Sequence, residues 1–168
     1  MRAFTRGRSS AAAGAAPTID LWYGDVQAVG EYGRSQHWAN VLGRVSDADD
    51  TVTSLTYSVN GGPDVPLTIG TDNHPRLARF GDFNLEIDRD DLVPGNNSVV
   101  IRATDQGGNQ TQRTATLVHT PSVTWPLPTS VHWSGVTTPS DVVDVVDGRW
   151  SASSSGARTV ETGYDRLF

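Results

Sequence analysis

From Thr18 onward apolar residues recur at every second position, the period of a strand with one buried face, and no helical spacing competes with it. Ala39, Val41, Gly43 and Val45 alternate with Trp38, Asn40, Leu42 and Arg44, which predicts an inner strand with its small and apolar side chains on the core. Leu55, Tyr57 and Val59 alternate with Ser54, Thr56 and Ser58. Asn60-Gly61-Gly62-Pro63-Asp64 then turns the chain into Val65, Leu67 and Ile69, making a hairpin. Phe83, Leu85 and Ile87 alternate with Asp82, Asn84, Glu86 and Asp88, a half-buried strand with an acidic outer edge. Pro94-Gly95 feeds a strand with Val99, Ile101 and Ala103 on one face, and Asp105 to Asn109 supplies a tight turn into the Thr-rich run Gln110 to Thr120. With Ile19 to Tyr23 at the start, these runs predict an all-β antiparallel sandwich of about seven strands.

Four local signatures add to this pattern. They are Trp22-Tyr23-Gly24-Asp25-x-Gln27, Gln36-x-Trp38-x-Asn40-Val41-x-Gly43, Leu55-x-Tyr57-Ser58-x-Asn60-Gly61-Gly62, and the closing run Leu92 to Asn109. In this order they resemble bacterial immunoglobulin-like and cadherin-like surface modules over roughly 18–120. The resemblance implies an immunoglobulin-like sandwich of the cysteine-free bacterial kind, because the Cys…Trp…Cys triad of antibody domains is missing. Modules of that kind bind, space or display rather than catalyse.

After Thr120 the texture changes. Pro121, Pro126 and Pro128, with Ser and Thr between them, read as a stiff linker over 121–130. Val142 to Trp150, Gly156-Ala157-Arg158-Thr159 and Gly163 to Phe168 then resemble the opening strands of a concanavalin-like jelly roll of laminin-G or glucanase type. A jelly roll needs far more chain to close its two sheets, so 131–168 reads as an incomplete start and the polypeptide as a fragment or early-terminated gene product. Alone, such a segment cannot offset roughly 1–2 kcal/mol of backbone entropy per ordered residue. It is expected to dock on the first unit or to form a hairpin over Asp141 to Thr159.

Composition narrows the picture further. The 168 residues allow one sizeable core, and without cysteine its stability must come from buried apolar area. All 13 basic residues are arginine, and the formal charge of -6 with no basic stripe disfavours nucleic acid as a partner. No apolar run is long enough to span a membrane. The stretch 1–17 carries basic residues and then Ala11-Ala12-Ala13-Gly14-Ala15-Ala16. It has the look of a secretion-signal tail without its apolar centre, and reads as a disordered leader. A monomer is expected.

Candidate chemistry is sparse. His37, His74, His119 and His132 lie in no recognised nucleophile or metalloprotease spacing and read as ordinary strand or loop histidines. Glu86, Asp88, Asp90 and Asp91 are placed as a solvated strand edge and turn rather than as a glycosidase carboxylate pair. Calcium has a better physical case. The loops Ser46 to Asp50 and Asp105 to Asn109 fall at the same end of such a sandwich, where Asp47, Asp49, Asp50, Asp105 and Asn109, with Asp82 nearby, offer the hard oxygen ligands Ca²⁺ takes. Cadherin-like modules use related acidic loops, but Asp and Asn are also plain turn formers, and both readings stand here. Trp22, Trp38, Trp125, Trp133 and Trp150 could stack on sugar rings; the strand-like runs around Trp22 and Trp38 favour core packing for those two.

These readings converge on a non-catalytic spacer or interaction module of an extracellular or cell-envelope bacterial protein, with carbohydrate or a cell-surface protein as its partner. The alternative is an accessory domain of a polysaccharide-degrading enzyme whose catalytic part lies outside the chain.

Overall fold

A computed structural model of the chain describes residues 14–30, 36–70, 77–121 and 130–160, and the backbone of 166–167. His74, Trp125 and most of the expected leader, linker and terminal Gly163 to Phe168 segment lie outside the described residues. Eight strands build the main unit: β1 (Thr18–Leu21), β2 (Val26–Val29), β3 (Trp38–Ser46), β4 (Val52–Val59), β5 (Val65–Pro66), β6 (Asp82–Asp88), β7 (Gly95–Asp105) and β8 (Gln110–His119). One sheet has the order β1-β3-β6 and the other β2-β8-β7-β4-β5. All pairings are antiparallel except β2 with β8, which run parallel. This is an all-β immunoglobulin-like sandwich, as the alternation predicts.

The inner faces carry the expected residues. Val41, Phe83, Leu85, Val99, Ile101, Ala103, Ala115 and Leu117 are all fully buried, and Ile19, Leu21, Ala39, Val45, Leu55 and Ile87 complete the same core. Gly43 sits opposite Phe83 in the β3–β6 ladder; a Cβ there would fall 2.6 Å from Phe83 Cζ, so glycine is what lets the ring lie flat across β3. Two of the buried polar residues, Asn97 and Asp82, are 0% exposed and hold neighbouring turns. Asn97 accepts from Val93 N (2.9 Å) and Asn60 Nδ2 (2.9 Å) and donates to Val93 O (2.8 Å) and Gly95 O (3.0 Å), pinning the turn that enters β7. Asp82 accepts from Arg44 Nε at 2.7 Å and Arg79 N at 3.0 Å.

Two strands differ from expectation. The expected first strand Ile19 to Tyr23 ends at Leu21 as β1, and an unpredicted strand, β2, follows in the other sheet, with the crossing made at Gly24 (φ 81°). Gln27 holds that crossing by donating Nε2 to Gly24 O at 2.9 Å, and Arg113 grips Asp25 through both Nε (2.8 Å) and Nη2 (3.1 Å). The expected strand through Val65, Leu67 and Ile69 shortens to β5, because Pro66 has no N–H to continue a ladder. Leu67 and Ile69 still pack on the core, and Leu67 N donates to Leu55 O at 2.9 Å.

The segment 130–160 adds a 3-10 turn (Pro139–Asp141), β9 (Val145–Asp147) and a hairpin of β10 (Trp150–Ser153) with β11 (Gly156–Thr159); β12 (Arg166–Leu167) pairs with β9. The hairpin begins at Trp150 rather than Asp141, since Gly148 (φ 79°) breaks the chain direction after β9. This segment lies on the outward face of the β1-β3-β6 sheet. Tyr23, Leu42 and Val145 form a second buried cluster flanked by Trp22 and Trp150, so Leu42, on the polar side of β3 by alternation, is only 1% exposed.

Candidate functional site

The two acidic loops do meet. A Cβ on Gly107 would lie 3.3 Å from Asp105 Oδ1, 3.2 Å from Asn109 Nδ2 and 3.4 Å from Asp50 Oδ2, and Gln106 N donates to Thr51 O at 2.9 Å. One oxygen of each of the four loop aspartates serves a backbone N–H. Asp47 Oδ1 accepts from Asp49 N (3.0 Å) and Asp50 N (2.9 Å), and these N–H groups, that of Asp49 first, hold its carboxyl below the usual aspartate range. Asp50 Oδ1 accepts from Thr51 N and Asp49 Oδ2 from Ala15 N. Asp105, buried at the end of β7, accepts from Asn109 N at 2.7 Å and Asn109 Nδ2 at 2.8 Å. Asp82 is committed to Arg44. Among the described residues no three His, Cys, Asp or Glu side chains are grouped so as to hold a metal ion. These hydrogen bonds are those of turn formers at the ends of β3 and β7.

The histidines and the β6 edge also have structural contacts. His37 Nε2 lies 3.3 Å from Asp88 Oδ2, with its ring edge-on to Trp38. Asp88 caps the 3-10 turn Arg89–Asp91 by accepting from Asp90 N, and Asp90 and Asp91 are exposed there. His119 is buried at the end of β8, its Nε2 3.3 Å from Arg89 Nη2. His132 is exposed.

The seam between the sandwich and the segment 130–160 concentrates the remaining chemistry. Tyr23 Oη donates to Gly148 O at 2.7 Å and accepts from Trp150 N at 3.0 Å. Asn84 Nδ2 donates to Val146 O and to Asp147 Oδ1, both at 2.9 Å, while its Oδ1 accepts from Asn40 Nδ2 at 3.0 Å. A water-sized cavity of about 20 Å³ lies in this seam, lined by Tyr23, Gln36, Asn40, Arg89, Ser140 and Asp144. Burial pushes the Asp144 carboxyl up to about 6, with the charge of Arg89 opposing. Arg89 reaches across to Gln36 O (2.9 Å) beneath Gly30, whose missing side chain leaves the guanidinium its room.

At the other end of the seam is a wider cleft of about 380 Å³, lined by Trp22, Tyr23, Thr138, Pro139, Arg149 and Trp150 among others. The Arg149 guanidinium lies 5.8 Å from the Trp22 ring centre, and Trp150 Nε1 donates to Asp147 O at 2.9 Å. Core packing for Trp22 and Trp38 needs correction. Trp38 precedes the inward Ala39, so the strand alternation turns it outward and leaves it 46% exposed. Trp22 packs on the second cluster instead of the sandwich core. Sequence reasoning had no signal for Arg149 beside Trp22, because that contact depends on how the distant segment docks.

No protein-family model and no curated protein matches the chain. Among solved structures it is similar to the fibronectin(III)-like modules of CbhA from Clostridium thermocellum, at 19% identity and a TM-score of 0.43 over 70% of this chain and 52% of that one. It is also similar to part of the endo-beta-1,4-mannanase from Thermotoga petrophila, at 14% identity and a TM-score of 0.45 over 64% of this chain. The chain spans about half the length of the first and covers 20% of the second, and at these identities the likeness is one of fold.

Proposed function

We propose that this protein is a non-catalytic spacer and interaction module of an extracellular or cell-envelope protein, with a carbohydrate as its partner. The observation that carries the reading is the seam. Side chains on the outward face of a sandwich normally meet solvent, yet here Leu42 is buried and Tyr23 and Asn84 bond to residues 146–150. Burying a leucine side chain contributes about 1.5–3 kcal/mol, and the satisfied polar groups give the junction one geometry rather than many. A fixed junction is what a spacer requires. The titratable side chains singled out from the sequence support the non-catalytic part, since His37, Asp82, Asp88 and Asp105 are each engaged in holding turns or pairs.

Amide hydrogen exchange on the full chain tests the spacer. Protection across β9 and β10 comparable to that of β6, and its loss in Leu42→Asp while β7 and β8 stay protected, is the expected result. Unprotected β9 and β10 in the native chain would overturn the fixed junction. Incubation with a panel of polysaccharides tests the rest: retention without released sugar is expected, and product release would overturn the non-catalytic reading.

A further inference from the structure

The cleft at the seam holds an arginine without a carboxylate partner among the described residues. Arg44, Arg102 and Arg113 are each paired with an aspartate, Asp82, Asp64 and Asp25. Arg149 instead faces the Trp22 ring, and its guanidinium makes no hydrogen bond or ion pair among the described residues. In a chain of net charge -6, an uncommitted guanidinium inside a concavity is a local reversal of sign. We propose that this cleft binds an acidic oligosaccharide, with a uronic-acid ring against the indoles of Trp22 and Trp150 and its carboxylate on Arg149. The proposal rests on the carbohydrate reading above and names its site and the class of sugar.

Three features support that occupant. The cleft, about 380 Å³, is within the range of small-ligand sites, about 300–1,000 Å³. Its walls combine indole surface, which suits the C–H face of a pyranose, with the hydroxyls of Thr137, Thr138 and Ser151, which suit the ring's polar edge. The geometry is also set in advance: Trp150 is held through its backbone N–H by Tyr23 Oη and through Nε1 by Asp147 O, so little side-chain freedom is lost on binding. The planar fork of a guanidinium matches a carboxylate through two parallel hydrogen bonds, a partner that a neutral hexose lacks.

Titration of the full chain with oligogalacturonate, and with a neutral cello-oligosaccharide of equal length, followed by tryptophan fluorescence and calorimetry, tests this. Oligogalacturonate should bind more tightly and weaken with salt. Arg149→Gln should cut its affinity about tenfold or more, the size expected from losing a charge-assisted pair. Arg149→Lys should fall between, and Arg158→Gln, the same charge change on exposed β11, should leave affinity unchanged, with melting curves confirming that all three fold. Equal binding of both sugars, or equal loss in Arg149→Gln and Arg158→Gln, would overturn the acidic-sugar site and leave the carbohydrate reading standing. Binding of neither sugar, nor of any polysaccharide in the wider panel, would overturn both.

Discussion

The hydroxyl of Tyr23 donates to the carbonyl of Gly148 across 125 positions of sequence, at 2.7 Å, and so ties the crossing between the two sheets to the turn after β9. The same oxygen accepts from Trp150 N. Tyr23→Phe removes both bonds and leaves two backbone groups to find other partners, at a cost of about 1–3 kcal/mol. The amide of Trp150 should lose exchange protection by a matching factor, while that of Ile101 in β7 keeps its own.

Asp144 sets a pH dependence of definite sign. Its carboxyl is raised from 3.8 to about 6 in the folded chain, so the folded form binds the proton more tightly than the unfolded one. The contribution is fully present below about pH 4 and is lost as pH rises through about 6, leaving a buried carboxylate that costs about 1–3 kcal/mol at pH 7. Asp144→Asn should therefore raise stability at pH 7.5, and the difference from the native protein should vanish by pH 4. Chemical denaturation at five or six pH values measures this directly.

Asn97 fills a fully buried position and makes its hydrogen bonds to Asn60 and to the 93–95 turn. In Asn97→Ala, Val93 N and Val93 O lose their partner in a dry site, so a loss of about 2–4 kcal/mol is expected. Asn97→Asp should be no better, because a carboxylate cannot donate to the two carbonyls that the amide now serves. Urea unfolding monitored by tryptophan fluorescence gives both values.

The acidic loops make a prediction about calcium. With Asp105 bonded to Asn109 and Asp47 to the N–H groups of Asp49 and Asp50, the melting temperature should be the same in chelator and in millimolar Ca²⁺. Asp105→Ala should lower it in both by an equal amount, through loss of the turn. A rise with Ca²⁺ that disappears in Asp50→Ala would assign the loops to the cation instead.

What the sequence made legible follows from where the alternation had a core to answer to. Ala39, Val41 and Val45 in β3, Phe83, Leu85 and Ile87 in β6, and Val99, Ile101 and Ala103 in β7 are all buried, because each strand has one face on the same interior. The meeting of Asp50 with Asp105 was also readable, since strand order alone places those loops together. Strand β2 was not: its inward positions are Gln27 and Val29 while Val26 is exposed, so the run lacks the apolar alternation that marks the other strands. Leu42 read as outward because its partner Val145 belongs to a segment far along the chain, and Arg149 beside Trp22 was hidden for the same reason. Engagement of the loop carboxylates depends on turn geometry, to which residue type is blind.

The parallel pairing of β2 with β8 sets the order in which the protein can be made. Val26 lies against Thr116, so a strand among the first to leave the ribosome has no ladder partner until the last strand of the sandwich has followed it. The β1–β3 and β3–β6 ladders can close earlier, over shorter loops. Contacts of such long range slow folding. Strand β2 therefore stays without its ladder while some ninety further residues are made, at about 5–20 residues per second.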